Sequence, residues 1–249
     1  MKAIITHKKE SYSIDLYKPL DISIPLRGDT TNVNAWYTEP PKITPHTEGE
    51  FVGKVTEGAS TNFNDIWFNP HAHGTHTECV GHITEEFHSV NKNLKKYFFL
   101  ASVITIAPEK KHEDFVISKK QLQYALKNFV GDALVIRTLP NLKDKMSRKY
   151  SNSNPPYLLE DAVNYLVELG VEHLLVDLPS IDKEKDDGEL LGHNAFWNTT
   201  GTLRKQATIT EFVFVGNAIK DGLYFLNLQV APFENDASPS RPVLYKIKE

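Results

Sequence analysis

Between Asn69 and Ile83 the chain reads NPHAHGTHTECVGHI, which sets four of its ten histidines, His71, His73, His76 and His82, beside one acid, Glu78, and the only cysteine, Cys79. Neutral imidazole and carboxylate are the usual ligands of zinc and manganese. In an extended segment side chains two residues apart share a face, so His76 and Glu78 aim at one ion. His82 reaches the same cleft if the chain turns at Gly81. Gly74 lets the backbone bend or approach a ligand closely, and Thr75 can orient a neighbour by hydrogen bonding. A lone buried histidine is ordinarily a satisfied core residue, whereas four beside an acid and two glycines read as a metal or catalytic site. The His-Glu-x-x-His helix pattern of the zincins is absent. Cys79 offers a soft ligand or a nucleophile, but a cysteine isolated between Glu78 and Val80 reads first as a small packed hydrophobe.

A metal site needs ligands from elsewhere in the chain. VDLPSID followed by GELLGHNAFW supplies His193, shortly after a strand and an acidic loop. ATITEF supplies Glu211, an acid inside an otherwise apolar run. A carboxylate among Ile209, Phe212 and Phe214 costs several kcal/mol if it faces inward unpaired. A metal removes that cost; alternation alone also allows Glu211 to face solvent.

These residues must be held by the elements around them. Residues 12–26 alternate polar and apolar and end in DISIPL, which predicts one or two strands. A long loop, Arg27 to Gly49, carries Trp36, Tyr37 and Pro40-Pro41, and loops of that length are usually functional or mobile. FFLASVITIAP is a buried strand stopping at Pro108. Ser118 caps a helix running to about Phe129, with Gln121 at the capping-box position. ALVIRTL is a strand, and a second helix spans Tyr157 to Leu169, with Pro156 in its first turn and Gly170 ending it. HLLVDLPSID is the next strand, ATITEFVFVG and GLYFLNLQVAPF form a hairpin, and RPVLYKI closes the chain. The order predicts a mixed α/β fold whose sheet is curved enough to close partly. No Pro/Gly/Ser linker divides it, so residues 1–249 read as one domain.

Composition sets outer limits. With 40% hydrophobic residues the chain has ample material for a core. A formal net charge of −4 gives no electrostatic case for nucleic acid or an anionic membrane as partner. The lysines of Lys92–Lys96 and Lys143–Lys149 read as solvated surface. One cysteine makes no internal disulfide, the N-terminus lacks a signal-peptide apolar run, and no stretch approaches the ~20 apolar residues of a membrane span. The expected location is the cytoplasm.

HGTHTECVGH resembles the His-x-Gly-Thr-His-x-Asp-x-Pro-x-His signature of the metal-dependent cyclase-like hydrolase family, which includes bacterial kynurenine formamidase and isatin hydrolase. DISIPL is similar to that family's Asp-Ile-Ser strand, VDLPSID to its Asp-x-Pro-Ser-(Val/Ile)-Asp segment, and NDASPSRPVLY to its C-terminal Asp-Ala-Ser-Pro-x-Arg-x-x-Leu. The likeness runs from about Asp21 to Tyr245. It implies a swivelling β/β/α fold, a homodimer or larger homo-oligomer, and one or two divalent ions, Zn²⁺ or Mn²⁺, serving hydrolysis of a C–N amide bond. By position His76 resembles a metal ligand, Glu78 the family's bridging Asp, His82 its catalytic histidine, and His193 and Glu211 the distal pair completing the site. The family's first ligand falls on Ala72, between His71 and His73. Using His71 requires one extra residue, which a bulge can absorb, so His71 is preferred. Glu78 is one methylene longer than the family's Asp, and Val80 replaces its proline.

The expected activity is therefore metal-assisted hydrolysis of an N-formyl or cyclic amide, arylformamidase-like, with water activated by the ion and His82 as general acid/base. Trp36 and Tyr37 would supply an aromatic wall for a flat substrate, or equally plug a core edge. Two other readings stay open: a non-catalytic metal- or small-molecule-binding member of the same fold, and a cysteine-nucleophile hydrolase built on Cys79.

Overall fold

The computed structural model describes residues 1–248. Most of its chain is organised around a nine-stranded mixed sheet: β1 (Leu20–Asp21), β2 (His76–Glu78), β3 (Phe98–Ile106), β4 (Ala133–Thr138), β5 (His173–Val176), β6 (Thr208–Glu211), β7 (Gly222–Asn227), β8 (Ala237–Pro239) and β9 (Val243–Lys246). They lie side by side in the order β8-β2-β6-β5-β4-β3-β7-β9-β1. The helices are α1 (Pro70–His73), α2 (Val90–Asn93), α3 (Lys119–Ala125), α4 (Glu160–Glu168) and α5 (Leu191–Trp197).

The middle four strands, β3 to β6, run parallel. Parallel neighbours need crossover connections, and α3, α4 and α5 lie within the three. Parallel strands are covered on both faces, so they read as unbroken apolar runs. All residues of β4 and β5 are buried accordingly. Leu134, Ile136, Leu174 and Val176 pack on the helical side with Leu122, Leu166 and Trp197, while Ala133, Val135 and Leu175 face a second core.

That second core explains the curvature. It joins Ile22, beside one edge of the sheet, to Cys79, beside strands at the other. The Thr75 hydroxyl accepts from the Ile24 amide at 2.7 Å and donates to the Phe212 carbonyl, and the Phe214 amide donates to the Ile22 carbonyl at 2.7 Å. The segment after β1 thus ties the two edges together, and the sheet is partly closed, a mixed α/β architecture as the element order predicts.

Several local expectations are corrected. Residues 22–26 are not strand, and the loop expected over 27–49 contains a strand, Lys42–Pro45, paired with Asn64–Trp67. Ser118 and Gln121 do form the capping box, but α3 ends at Ala125. Tyr157–Leu158, expected as helix, is captured by pairing with Val116–Ile117, so α4 begins at Glu160. The expected hairpin does not form: β6 pairs with β5 and β2, and β7 with β3 and β9. Lys145 is not solvated. It is buried, with its ammonium on Asp177 at 2.7 Å and on the Thr138 carbonyl at 2.8 Å. Among the described residues, no helix is long and apolar enough to cross a membrane.

Candidate metal centre

Strand β2 is buried between β8 and β6. Its register places His76 opposite Glu211 and Glu78 opposite Ile209, so both acids and His76 share one face of the sheet. Thr77 and Thr210 take the other face, with their hydroxyls 2.8 Å apart. Glu211 is therefore buried, and its Oε1 accepts from the Ile181 amide at 3.1 Å.

The chain leaves β2 through a tight turn, Val80–His82, that brings His82 back over Glu78. Gly81 is required there, because a Cβ would lie 2.1 Å from the His88 carbonyl oxygen. Cys79 faces the second core with its thiol donating to that same carbonyl at 3.3 Å, and burial pushes the thiol up to about 11. It packs as a small hydrophobe and has no thiolate to offer at neutral pH.

His193 arrives on α5. Asp182 caps the first turn of that helix, accepting from the Gly192 amide at 2.5 Å and the His193 amide at 3.0 Å. A side chain at 192 would put a Cβ 2.6 Å from the same carboxylate, so the glycine permits the contact. Asp182 also bonds His193 Nδ1 at 2.5 Å, which leaves Nε2 3.0 Å from Glu78 Oε1.

His71 and His73 lie on α1, and their roles separate cleanly. His73 Nδ1 accepts from the Asn69 amide at 2.8 Å, so its proton sits on Nε2, which donates to the Glu39 carbonyl at 3.0 Å. Both of its nitrogens are committed, and burial lowers its pKa. His71 instead turns inward, with Nδ1 3.2 Å from Glu78 Oε2 and Nε2 2.8 Å from Asp236 Oδ2. The extra residue relative to the family motif is not a bulge. It is absorbed in a single helical turn, begun by Asn69, whose side chain accepts from the His71 amide, and by Pro70 in the first position.

The four inward histidines follow one rule: an outer nitrogen is tied down and an inner one faces the acids. His76 Nδ1 donates to the Gly74 carbonyl at 3.0 Å, leaving Nε2 3.4 Å from Glu211 Oε2. His82 Nδ1 bonds Asp236 at 3.3 Å, leaving Nε2 3.8 Å from Glu78 Oε2. Asp236 and Asp182 thus fix the ring orientation of three imidazoles, as carboxylates behind metal-bound histidines do. The His71 and His82 rings stack at 4.2 Å over Asp236. These two rings and Asp236 are the partly exposed members, at 20%, 30% and 24%, so the cluster opens to solvent on their side.

Electrostatics show what the cluster lacks. Among the described residues, the ion-pair partners of Glu78, Glu211, Asp182 and Asp236 are all imidazoles, with no lysine or arginine among them. Burial opposes ionising Glu78, but the His82 charge and hydrogen bonds from His193 and His71 hold it well below the usual carboxylate range. Burial likewise opposes charging His71, and its bonds to Asp236 and Glu78 outweigh that and carry it up to about 10. His193, bonded to Asp182 and Glu78, is raised for the same reason. Protons on imidazoles balance acids that ligands surrender when a cation binds. His76 Nε2 is buried with no hydrogen-bond partner, and Glu78 Oε2, equally buried, has only the His71 Nδ1 contact at 3.2 Å. Leaving such atoms unmet is costly, and a divalent cation satisfies both. Three triads, His71/His76/Glu78, Glu78/His82/His193 and His71/His82/Asp236, each bring their donor atoms within 4.8 Å of one another.

Trp36 and Tyr37, expected as an aromatic wall or a core plug, lie next to the turn that carries His71. Trp36 donates its indole N–H to the His71 carbonyl at 3.0 Å, and the Tyr37 hydroxyl donates to Glu184 at 2.7 Å, beside Asn152. A groove of about 1030 Å³ lies between α3 and the β3/β7 strands, lined by Thr105, Tyr124 and Asp221, with none of the clustered histidines in its walls. Asp182 and Asp236 were not singled out in the sequence, although both sit inside the motifs VDLPSID and NDASPSRPVLY.

The sequence model of the cyclase family matches residues 20–183. No curated protein matches the chain by sequence. Among solved structures the fold is similar to that of a potential metal-dependent hydrolase with cyclase activity (18% identity, TM-score 0.64, 93% of this chain and 99% of that one). It is similar as well to a predicted metal-dependent hydrolase from Bacillus stearothermophilus (18%, 0.62, 92% and 98%). An isatin hydrolase bound to the product analogue thioisatinate aligns at 15% identity and TM-score 0.65, over 93% of each chain.

Proposed function

The chain belongs to the cyclase family, and from that membership we propose that it is a metal-dependent hydrolase cleaving a C–N amide bond of an N-formyl or cyclic amide. The observation that supports this reading most is the convergence of inner nitrogens from His71, His76, His82 and His193 on Glu78 and Glu211, with the buried His76 Nε2 left unpartnered. The isatin hydrolase among the structural neighbours is named for a cyclic amide, which favours that substrate class.

In this reading His71, His76, Glu78, His193 and Glu211 hold one or two ions, Zn²⁺ or Mn²⁺ by their nitrogen and oxygen donors. When bound, such an ion supplies a Lewis acid that activates water and polarises a carbonyl. His82 moves the proton. It is the most exposed imidazole of the cluster, and Asp236 holds its Nδ1, leaving Nε2 to collect a proton and return it to the leaving nitrogen. Asp236 and Asp182 keep the rings in place without reaching the reacting atoms. The chain acts as one domain, as a homodimer or larger homo-oligomer, in the cytoplasm.

The test pairs elemental analysis of protein purified without chelator with turnover of a panel of N-formyl and cyclic amides. About one or two Zn or Mn per chain, and hydrolysis lost on chelation and restored by metal, are expected. Folded protein that neither carries nor takes up Zn²⁺ or Mn²⁺ sinks the reading.

A further inference from the structure

Helix α1 cannot hold itself together. It has four residues, far below the length at which a helix is stable alone, and its final carbonyls have no partner within it. Three successive carbonyls are nevertheless satisfied, all from one short segment. Trp36 Nε1–H donates to the His71 carbonyl at 3.0 Å, the Ala35 amide to the Ala72 carbonyl at 3.1 Å, and Asn32 Nδ2 to the His73 carbonyl at 2.7 Å.

We propose that residues 32–36 form a clamp that sets the metal affinity of the centre, with Asn32 and Trp36 as positioning residues for His71. The proposal rests on the reading of His71 as a ligand. Asn32 is fully buried and its Oδ1 accepts from the Arg27 amide at 2.7 Å, so its amide group is locked toward α1. Trp36 and Tyr37 hold φ of 59° and 58°, a left-handed conformation that bulky side chains adopt only when their surroundings enforce it. The Tyr37 amide is held by Ser151 Oγ at 2.9 Å, and the Asn34 amide and carbonyl pair with the Arg148 carbonyl and the Tyr150 amide. The backbone is thus anchored on the 148–151 segment and spends its strain on aiming the indole N–H at α1. The clamp matters here because the proposed ligand stands one residue before the family position, on a turn of only four residues. Its imidazole must reach Glu78 at 3.2 Å and Asp236 at 2.8 Å at once. A turn released at its carbonyls lets that ring wander, and ligand sites tolerate little of this.

Trp36→Phe keeps an aromatic ring, smaller than the indole, and deletes the N–H. Asn32→Ser deletes the amide donor and is an independent second arm. Zn²⁺ is titrated into metal-stripped protein against a competing chelator, and the metal-free melting temperature is measured alongside. Each variant should bind Zn²⁺ about tenfold more weakly or worse, the size of effect seen when a support behind a ligand is removed. The loss should persist in protein whose metal-free melt shows it folded. Zn²⁺ affinity equal to wild type in folded Trp36→Phe and Asn32→Ser overturns the clamp while the metal centre stands. A lowered melt with unchanged affinity overturns it too, since the segment then only supports the fold. Wild-type protein that binds no Zn²⁺ instead overturns the metal centre itself.

Discussion

Deleting His71 and deleting His73 should produce opposite phenotypes, although the two residues share one helical turn. His71 presents Nδ1 to Glu78 and Nε2 to Asp236, so His71→Ala removes a proposed ligand and leaves both acids facing a gap. Partners behind a ligand are worth 10–100-fold in metal affinity, so loss of the ligand itself should cost at least about 100-fold, or ~2.8 kcal/mol of binding. His73 carries the other burden. His73→Ala removes a buried ring and the partner of the half-buried Asn69 amide and of the Glu39 carbonyl, at about 1–3 kcal/mol. For a chain of this length that is a drop of roughly 2–12 °C in melting temperature. Zn²⁺ affinity, measured by chelator competition on metal-stripped protein, should stay within about threefold of wild type. A His73→Ala protein that loses more Zn²⁺ affinity than His71→Ala refutes the division of roles and with it the proposed path of α1.

Two further outcomes are expected. His82→Ala should lose most of kcat on the amide that proves to be the substrate, on the order of 10²–10⁴-fold for a general acid/base, while retaining its metal; near-normal turnover with metal in place means that another group moves the proton. His173 is buried against Phe99 with Nδ1 on the Thr208 hydroxyl, and burial pushes it down to about 4. The unfolded chain takes up a proton near pH 6.5 that the native imidazole refuses until about 4, so this stabilisation is full above pH 6.5 and is lost as pH falls toward 4. Between about pH 7 and pH 5 it amounts to ~2 kcal/mol, and urea unfolding of His173→Gln should show a pH dependence flatter than wild type by that amount. An equal decline in both proteins would place the acid sensitivity elsewhere.

How much of this the sequence disclosed depended on whether the information was local. The parallel strands β4 and β5 were visible because burial on both faces demands continuous apolar runs, and ALVIRT and HLLV are such runs. The Ser118–Gln121 capping box was visible because its partners are three residues apart. Partner choice was not. ATITEFVFVG and GLYFLNLQVAPF carry the pattern of a hairpin, yet β6 joins the parallel run beside β5 and β7 lies across the sheet beside β3. Alternation reports which face is buried and says nothing of which strand comes next to it. Tyr157 and Leu158 depart from expectation for a related reason, since a helix-like stretch yields to pairing with Val116 and Ile117, 41 residues away in the chain. Lys145 has the composition of a surface residue; only the buried Asp177, on a different strand's end, turns it inward.

The centre shows the same division more sharply. His76 and Glu78 declared themselves by the two-residue period of a strand, whereas Asp236, 165 residues from His71, has nothing in its own neighbourhood to mark it. What ties these together is a pair of departures from the family motif that make sense only jointly. The first histidine stands one residue early, at His71 instead of 72, and the acid is one methylene longer, at Glu78. In the fold the Glu78 carboxylate reaches between His71 Nδ1 at 3.2 Å and His193 Nε2 at 3.0 Å. A carbon–carbon bond of ~1.5 Å is the difference between the two acids, so an aspartate on the same buried strand would stop short of at least one imidazole. The longer acid thus suits a proposed ligand carried on a helical turn, the turn whose carbonyls accept from residues 32–36. Each departure taken alone argues against the proposed centre, and the two together, with the clamp, are consistent with it.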